Sequence, residues 1–131
     1  MKLKRTRGSR QRKRGEASRH EIIMLVELDP QSEDRIQKDL EAGGFPVVTA
    51  ENTAEALDII RFIGDRVTLT IVDEERSGGA WRKFLATMHN LYPAVKAVLL
   101  GNKPPATGMA GFLRKPVRRQ ELVGLVLENA P

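Results

Sequence analysis

Asp73 is the residue whose type and position most plainly offer chemistry. It ends the stretch Val67-Thr68-Leu69-Thr70-Ile71-Val72-Asp73, in which five of the seven residues are β-branched, and the polar run Glu74-Glu75-Arg76-Ser77-Gly78-Gly79 follows it directly. β-Branched side chains pack well on a pleated surface, so the stretch reads as a buried strand that stops on a carboxylate. In an open α/β sheet, ligands bind just beyond the carboxyl ends of the strands, which makes an acid there a candidate reactive group. The competing reading is a turn acid that caps the helix beginning after Gly78.

The elements that would position Asp73 follow from the pattern on either side of it. Ile22-Ile23-Met24-Leu25-Val26 is an apolar run of strand length closed by Glu27-Leu28-Asp29-Pro30, where proline opens a helix over Gln31 to Ala42 that Gly43-Gly44 ends. Phe45 to Ala50 is a second strand, and its proline near the start assigns it to an edge. Asn52 or Thr53 caps a helix with Ala56, Ile59, Ile60 and Ile63 at helical spacing, and Gly64 stops it. After Asp73, Gly78 or Gly79 opens a helix whose stripe is Trp81, Phe84, Leu85, Met88 and Leu91. Ala94 to Leu100 is strand four, Gly111 to Arg114 strand five, and Gln120 to Glu128 a last helix with Leu122, Val123, Leu125 and Val126 inward. Between strands four and five, Gly101 to Ala110 holds two adjacent prolines and two glycines, so the helix expected there is lost or shortened.

With 131 residues the chain has room for one core, and 40% hydrophobic with 5% aromatic residues makes that core aliphatic. The absence of cysteine excludes disulfides, thiol catalysis and thiolate metal sites. Apolar runs of strand length are too short to span a bilayer, so a cytoplasmic protein without a membrane span is expected. The net charge of +5 is unevenly spread: residues 1–20 carry nine Lys or Arg and one acid, +8, which leaves thirteen basic and sixteen acidic residues, −3, for residues 21–131. The expected organisation is therefore a disordered basic tail, 1–20, and one folded domain, 21–131. Such a tail suits a nucleic acid or another anionic surface, or is an inert extension.

Strands alternating with helices imply a doubly wound parallel sheet, because parallel neighbours need right-handed crossovers. Neither G-x-G-x-x-G nor G-x-x-x-x-G-K-[ST] occurs, which argues against dinucleotide and P-loop sites. No acid and serine are spaced with His20 or His89 to suggest a triad, so no hydrolase is expected. The flavodoxin-like order 2-1-3-4-5 sets the ends of strands one and three side by side, with Glu27 facing Asp73.

From Ile22 to Glu128 the sequence resembles the receiver domains of bacterial response regulators (CheY-like). Leu25-Val26-Glu27-Leu28-Asp29-Pro30 resembles the acidic end of the family's first strand, Ile71-Val72-Asp73 its phosphoacceptor strand, and Lys115-Pro116 its lysine and cis-proline. Gly43 to Leu57 is similar to its second strand and helix. The resemblance implies a (βα)5 fold and a two-component phosphorelay, in which Asp73 accepts phosphate from a histidine kinase and Lys115 holds the phosphoryl group. It implies Mg²⁺ on Glu27, Asp73 and the main-chain carbonyl of Glu75, with Asp29 as a further ligand, and Phe112 as the switch aromatic. The chemistry is coherent. A carboxylate attacks phosphorus only when its repulsion from an anionic donor is offset, which a divalent cation and an ammonium do.

Two positions depart from the family pattern. Leu28 stands where the family has a second acid, so metal binding should be weak; Gly101 stands where it has a Ser or Thr hydroxyl, so coupling to Phe112 should be impaired. Glu27 and Asp29 have a second reading as caps of the Gln31 helix, and Lys115 as a solvated charge. Three functions follow: phosphotransfer at Asp73 with no further enzyme activity, a degenerate receiver that binds a signalling protein independently of phosphate, and nucleic-acid binding by the tail.

Overall fold

The computed structural model describes residues 22–102 and 111–129. The basic tail and nearly all of the segment expected to have lost its helix lie outside the described residues. The described chain runs β1 (Ile22–Val26), α1 (Pro30–Ala42), β2 (Val47–Ala50), α2 (Thr53–Ile63), a 3₁₀ turn (Gly64–Arg66), β3 (Val67–Asp73), the single-turn α3 (Glu74–Ser77), α4 (Ala80–Leu91), β4 (Lys96–Gly101), β5 (Gly111–Arg114) and α5 (Arg119–Asn129). All four strand pairings are parallel, in the order β2-β1-β3-β4-β5. This is the expected flavodoxin-like sheet.

The period-two alternation of the strands builds a core on each face. Ile23 and Leu25 of β1, Leu69 and Ile71 of β3, and Val98 and Leu100 of β4 pack with Ile36 and Leu40 of α1 and Leu122 and Val126 of α5. Their neighbours Met24, Val26, Val72, Ala97 and Leu99 pack on the other face with Ala56 and Ile60 of α2 and Trp81, Phe84, Leu85 and Met88 of α4. Both faces are thus covered, which is why β1 and β3 are buried along their whole length and read as unbroken apolar or β-branched runs. Burying Trp81 and Phe84 this fully stabilises the fold by roughly 1.5–3 kcal/mol each. On the same face the hydroxyl of Thr70 is buried without a hydrogen-bond partner.

Helix boundaries follow local chemistry. Pro30 occupies the first turn of α1, where no N–H is needed, and the Asp29 side chain accepts from the Ser32 N–H. Asn52 caps α2 by accepting from the Glu55 N–H. Some details differ from the sequence reading: β2 begins at Val47 rather than at Phe45. Leu91 is 44% exposed, because its turn of 100° per residue places it roughly 80° from the direction of Trp81, at the rim of the stripe. Val123 is half-buried rather than in the core. β4 begins at Lys96, Ala94 being an exposed turn residue.

Register brings the strand ends together. Val26 pairs with Val72, Asp73 with Leu100, and Gly101 with Arg114. Glu27, Asp73, Gly101 and Lys115 therefore emerge at one edge of the sheet, although 88 positions separate the first from the last.

Candidate functional site

Asp73 lies at the centre of this edge and is 0% exposed. Its Oδ1 accepts the Arg76 N–H at 2.8 Å, so the side chain caps α3, the turn that follows it. The capping role read from the sequence is present, but on Glu74–Ser77 rather than on the helix after Gly78. The buried Oδ2 receives no hydrogen bond of good geometry; it faces the Lys115 ammonium at 2.6 Å, a separation at which the ion pair dominates.

Lys115 follows the end of β5, where its N–H donates to the Gly101 carbonyl at 2.8 Å and its bond to Pro116 is cis. The ammonium also lies 3.7 Å from Asp29 Oδ2, so one cation spans two carboxylates. Burial disfavours the charged ammonium, but its close contact with the Asp73 carboxylate, supported by the charges of Asp29 and Glu75, outweighs burial and raises its pKa. The Asp29 carboxyl is held below the usual range chiefly by its hydrogen bonds from Ser32, with Lys115 and Arg76 adding charge and partial burial opposing.

The loop after β1 explains how Asp29 reaches this lysine. Glu27 adopts φ 56°, the left-handed region that a non-glycine residue rarely takes. The reversal sends Leu28 into the core beside α1 and α5, at 5% exposure, and returns Asp29 to the site. Glu27 is itself held by its backbone, its N–H donating to the Ala50 carbonyl at 2.9 Å and its carbonyl accepting from Arg76 Nε at 3.3 Å. The Glu75 carbonyl, expected to face a metal, accepts the Gly78 N–H at 3.2 Å and closes α3. Among the described residues no three His, Cys, Asp or Glu side chains are grouped so as to hold a metal ion.

Phe112 is half-buried against the α2–α4 core and borders Gly101. The edge thus gathers Glu27, Asp29, Asp73, Glu75, Gly101, Phe112 and Lys115. Two residues that the sequence reading passed over belong to it as well. Arg76 lays its guanidinium on the Glu27 carbonyl, and the Glu74 side chain reaches the empty space beside Gly101. Their only signal in the sequence is adjacency to Asp73, in a run without periodicity.

No family profile matches this sequence, and no curated protein matches it. Solved structures do. A response regulator receiver domain protein (CheY-like) from Methanospirillum hungatei JF-1 superposes with a TM-score of 0.71 at 20% identity, over 83% of this chain and 92% of that one. The chemotaxis protein CheY4 of Vibrio cholerae gives 0.73 at 18% identity, over 84% and 98%. The signal receiver domain of an HD domain-containing protein from Pseudomonas fluorescens Pf-5 gives 0.70 at 26% identity, over 86% and 94%. The fold is that of CheY-like response regulator receiver domains, as the resemblance in the sequence implied. Among the described residues no helix is long and apolar enough to cross a membrane.

Proposed function

We propose that this protein is a receiver-fold signalling module that acts by docking to a signalling protein, with its acidic pocket neutralised by its own side chains instead of by Mg²⁺ and a phosphoryl group. The observation that carries this reading is the state of Asp73: it is wholly buried, one carboxylate oxygen is taken by a backbone N–H and the other faces an ammonium. A nucleophile must bring an oxygen to within roughly 3–3.5 Å of its electrophile, and Asp73, at 0% exposure, is closed to a donor arriving from solvent.

The donor set does not suit Mg²⁺, which demands near-octahedral oxygen ligation and keeps several waters. Leu28 contributes no oxygen, Asp29 and Asp73 share Lys115, and Arg76 brings a cation to the Glu27 carbonyl. Positive charge already stands where a metal would bring it. Phosphotransfer from a histidine kinase to Asp73 remains the second reading, favoured by the Lys115–Asp73 contact itself, since an ammonium at that carboxylate is what phosphoryl stabilisation requires.

Backbone amide NMR of the whole chain separates the two. Addition of a small phosphodonor with Mg²⁺ should leave the spectrum unchanged under the docking reading. Shifts spreading from Asp73 to β4 and β5 would support phosphotransfer instead.

A further inference from the structure

Charge is divided across the sheet. Residues 30–66, which build α1, β2, α2 and the turn before β3, hold eight acids and four bases, −4. The described residues between 76 and 129 hold eight bases and two acids, +6. In the order β2-β1-β3-β4-β5 the first group lies on the β2 side, where α1 and α2 both pack beside that strand, and the second on the β4–β5 side. On the acidic side Asp34 and Asp58 pair with neighbours on their own helices, whereas Glu33, Asp39, Glu41, Glu51, Glu55 and Asp65 pair with no Lys or Arg among the described residues. The last turn of α1 holds no basic residue, although the carbonyl end of the helix dipole favours a cation there and Glu41 adds negative charge. Among the described residues β2 pairs with β1 alone, so its outer edge is unpartnered.

We propose that residues 1–20 of the same chain dock on this acidic side, along α1, the β2 edge and α2, with their nine Lys and Arg serving the unpaired carboxylates and the carbonyl end of α1. The charges are complementary, +8 against −4. The point of attachment is favourable as well. Ile22 registers with Val67 and Ile23 with Val47, so the segment joins the sheet at the end where α1 finishes with Glu41 and where Asp65 precedes β3. Twenty extended residues reach up to about 66 Å, against roughly 20 Å for the whole of α1. Covalent attachment gives the segment a high effective concentration at this side, which a second copy or a free polycation lacks. The basic segment is thereby held by its own domain, and a polyanion must displace the carboxylates to take it. Exposed pairs of this kind add little stability, so the contact shows in position rather than in melting temperature. The proposal does not depend on the state of Asp73.

The chain has no cysteine, so Ser9→Cys gives a single site for a nitroxide label on the full chain. At about 0.01 M ionic strength, where charges act over about 30 Å, the label should broaden the amide signals of the last turn of α1, of β2 and of the turn at Asp65. The last turn of α4 and the start of β4 lie at the same end of the sheet on the basic side, and should broaden much less. The difference should vanish at about 1 M salt, where the range falls to about 3 Å, and in a chain carrying Glu41→Gln, Glu51→Gln and Asp65→Asn at low salt. Equal broadening of the two sides at low salt would overturn the proposal, as would a difference that survives both salt and the triple substitution. Equal transfer of the broadening to unlabelled, isotope-enriched chains mixed with labelled ones would place the segment on a second copy, and would overturn it too.

Discussion

Lys115 Nζ lies 2.6 Å from Asp73 Oδ2, and this contact joins the end of β5 to the buried end of β3. Among the described residues it is the one charge contact that reaches a fully buried carboxylate, so its energetic consequences are larger than those of the exposed pairs Lys38–Asp34 and Arg61–Asp58.

Removal of either partner tests that statement. Lys115→Met should destabilise the fold by about 2 kcal/mol, because Asp73 would keep its cap but lose its counter-charge. Asp73→Asn should cost about 1 kcal/mol, since asparagine also caps, and Asp73→Ala should cost more than Asp73→Asn. The acidic surroundings read from the sequence would instead make Asp73→Asn neutral or stabilising, and urea melts of the three variants distinguish the two environments.

Asp29 and Lys115 set the pH response. The Asp29 carboxyl is depressed from its ordinary 3.8, so its contribution is present above that value and is lost as pH falls through the lower folded value. Asp29→Asn should flatten the acid limb of the stability curve. The Lys115 ammonium is raised from 10.5, so its contribution is complete below that pH and disappears as pH rises through the higher folded value. Lys115→Met should flatten the alkaline limb and, because Lys115 also lowers the Asp29 carboxyl, soften the acid limb in part, as melts across both ranges will show.

Metal binding should be poor. Mg²⁺ should bind with a Kd in the millimolar range or weaker, about −4 kcal/mol or less favourable, and Arg76→Ala should tighten it by removing a cation that lies against Glu27. Titration calorimetry giving micromolar affinity for the native chain would contradict the neutralised pocket.

The basic tail predicts a separable activity. Nine cations without a base-reading element should bind nucleic acid through phosphates, independently of sequence and with steep loss in salt. Deletion of residues 1–20 should abolish that binding and leave the melting temperature nearly unchanged. A truncated chain that still binds DNA or RNA, or unfolds, would place the boundary elsewhere.

The strands and their order were legible because β1, β3 and β4 are covered on both faces and so appear as continuous apolar or β-branched runs, while right-handed crossovers leave few topologies. Asp73, Glu27 and Lys115 were legible for the same reason, as each stands where a strand stops. Glu74-Glu75-Arg76-Ser77 was not, because a single turn has no period to read. Its direction comes from the Asp73 cap, and only the folded chain brings Arg76 to a carbonyl 49 positions earlier or Glu74 to the gap at Gly101. Leu28 shows the limit from the other side: it reads as a missing acid, whereas the left-handed turn at Glu27 makes it a core residue and delivers Asp29 to the lysine.

Intact mass after incubation with a small phosphodonor and Mg²⁺ tests the central claim most directly. The native chain should show no added phosphoryl group, because both oxygens of Asp73 are engaged and the residue is closed to solvent. Stoichiometric gain of one phosphoryl group by the native chain, absent from Asp73→Asn, would contradict the account and make this domain a working phosphoacceptor.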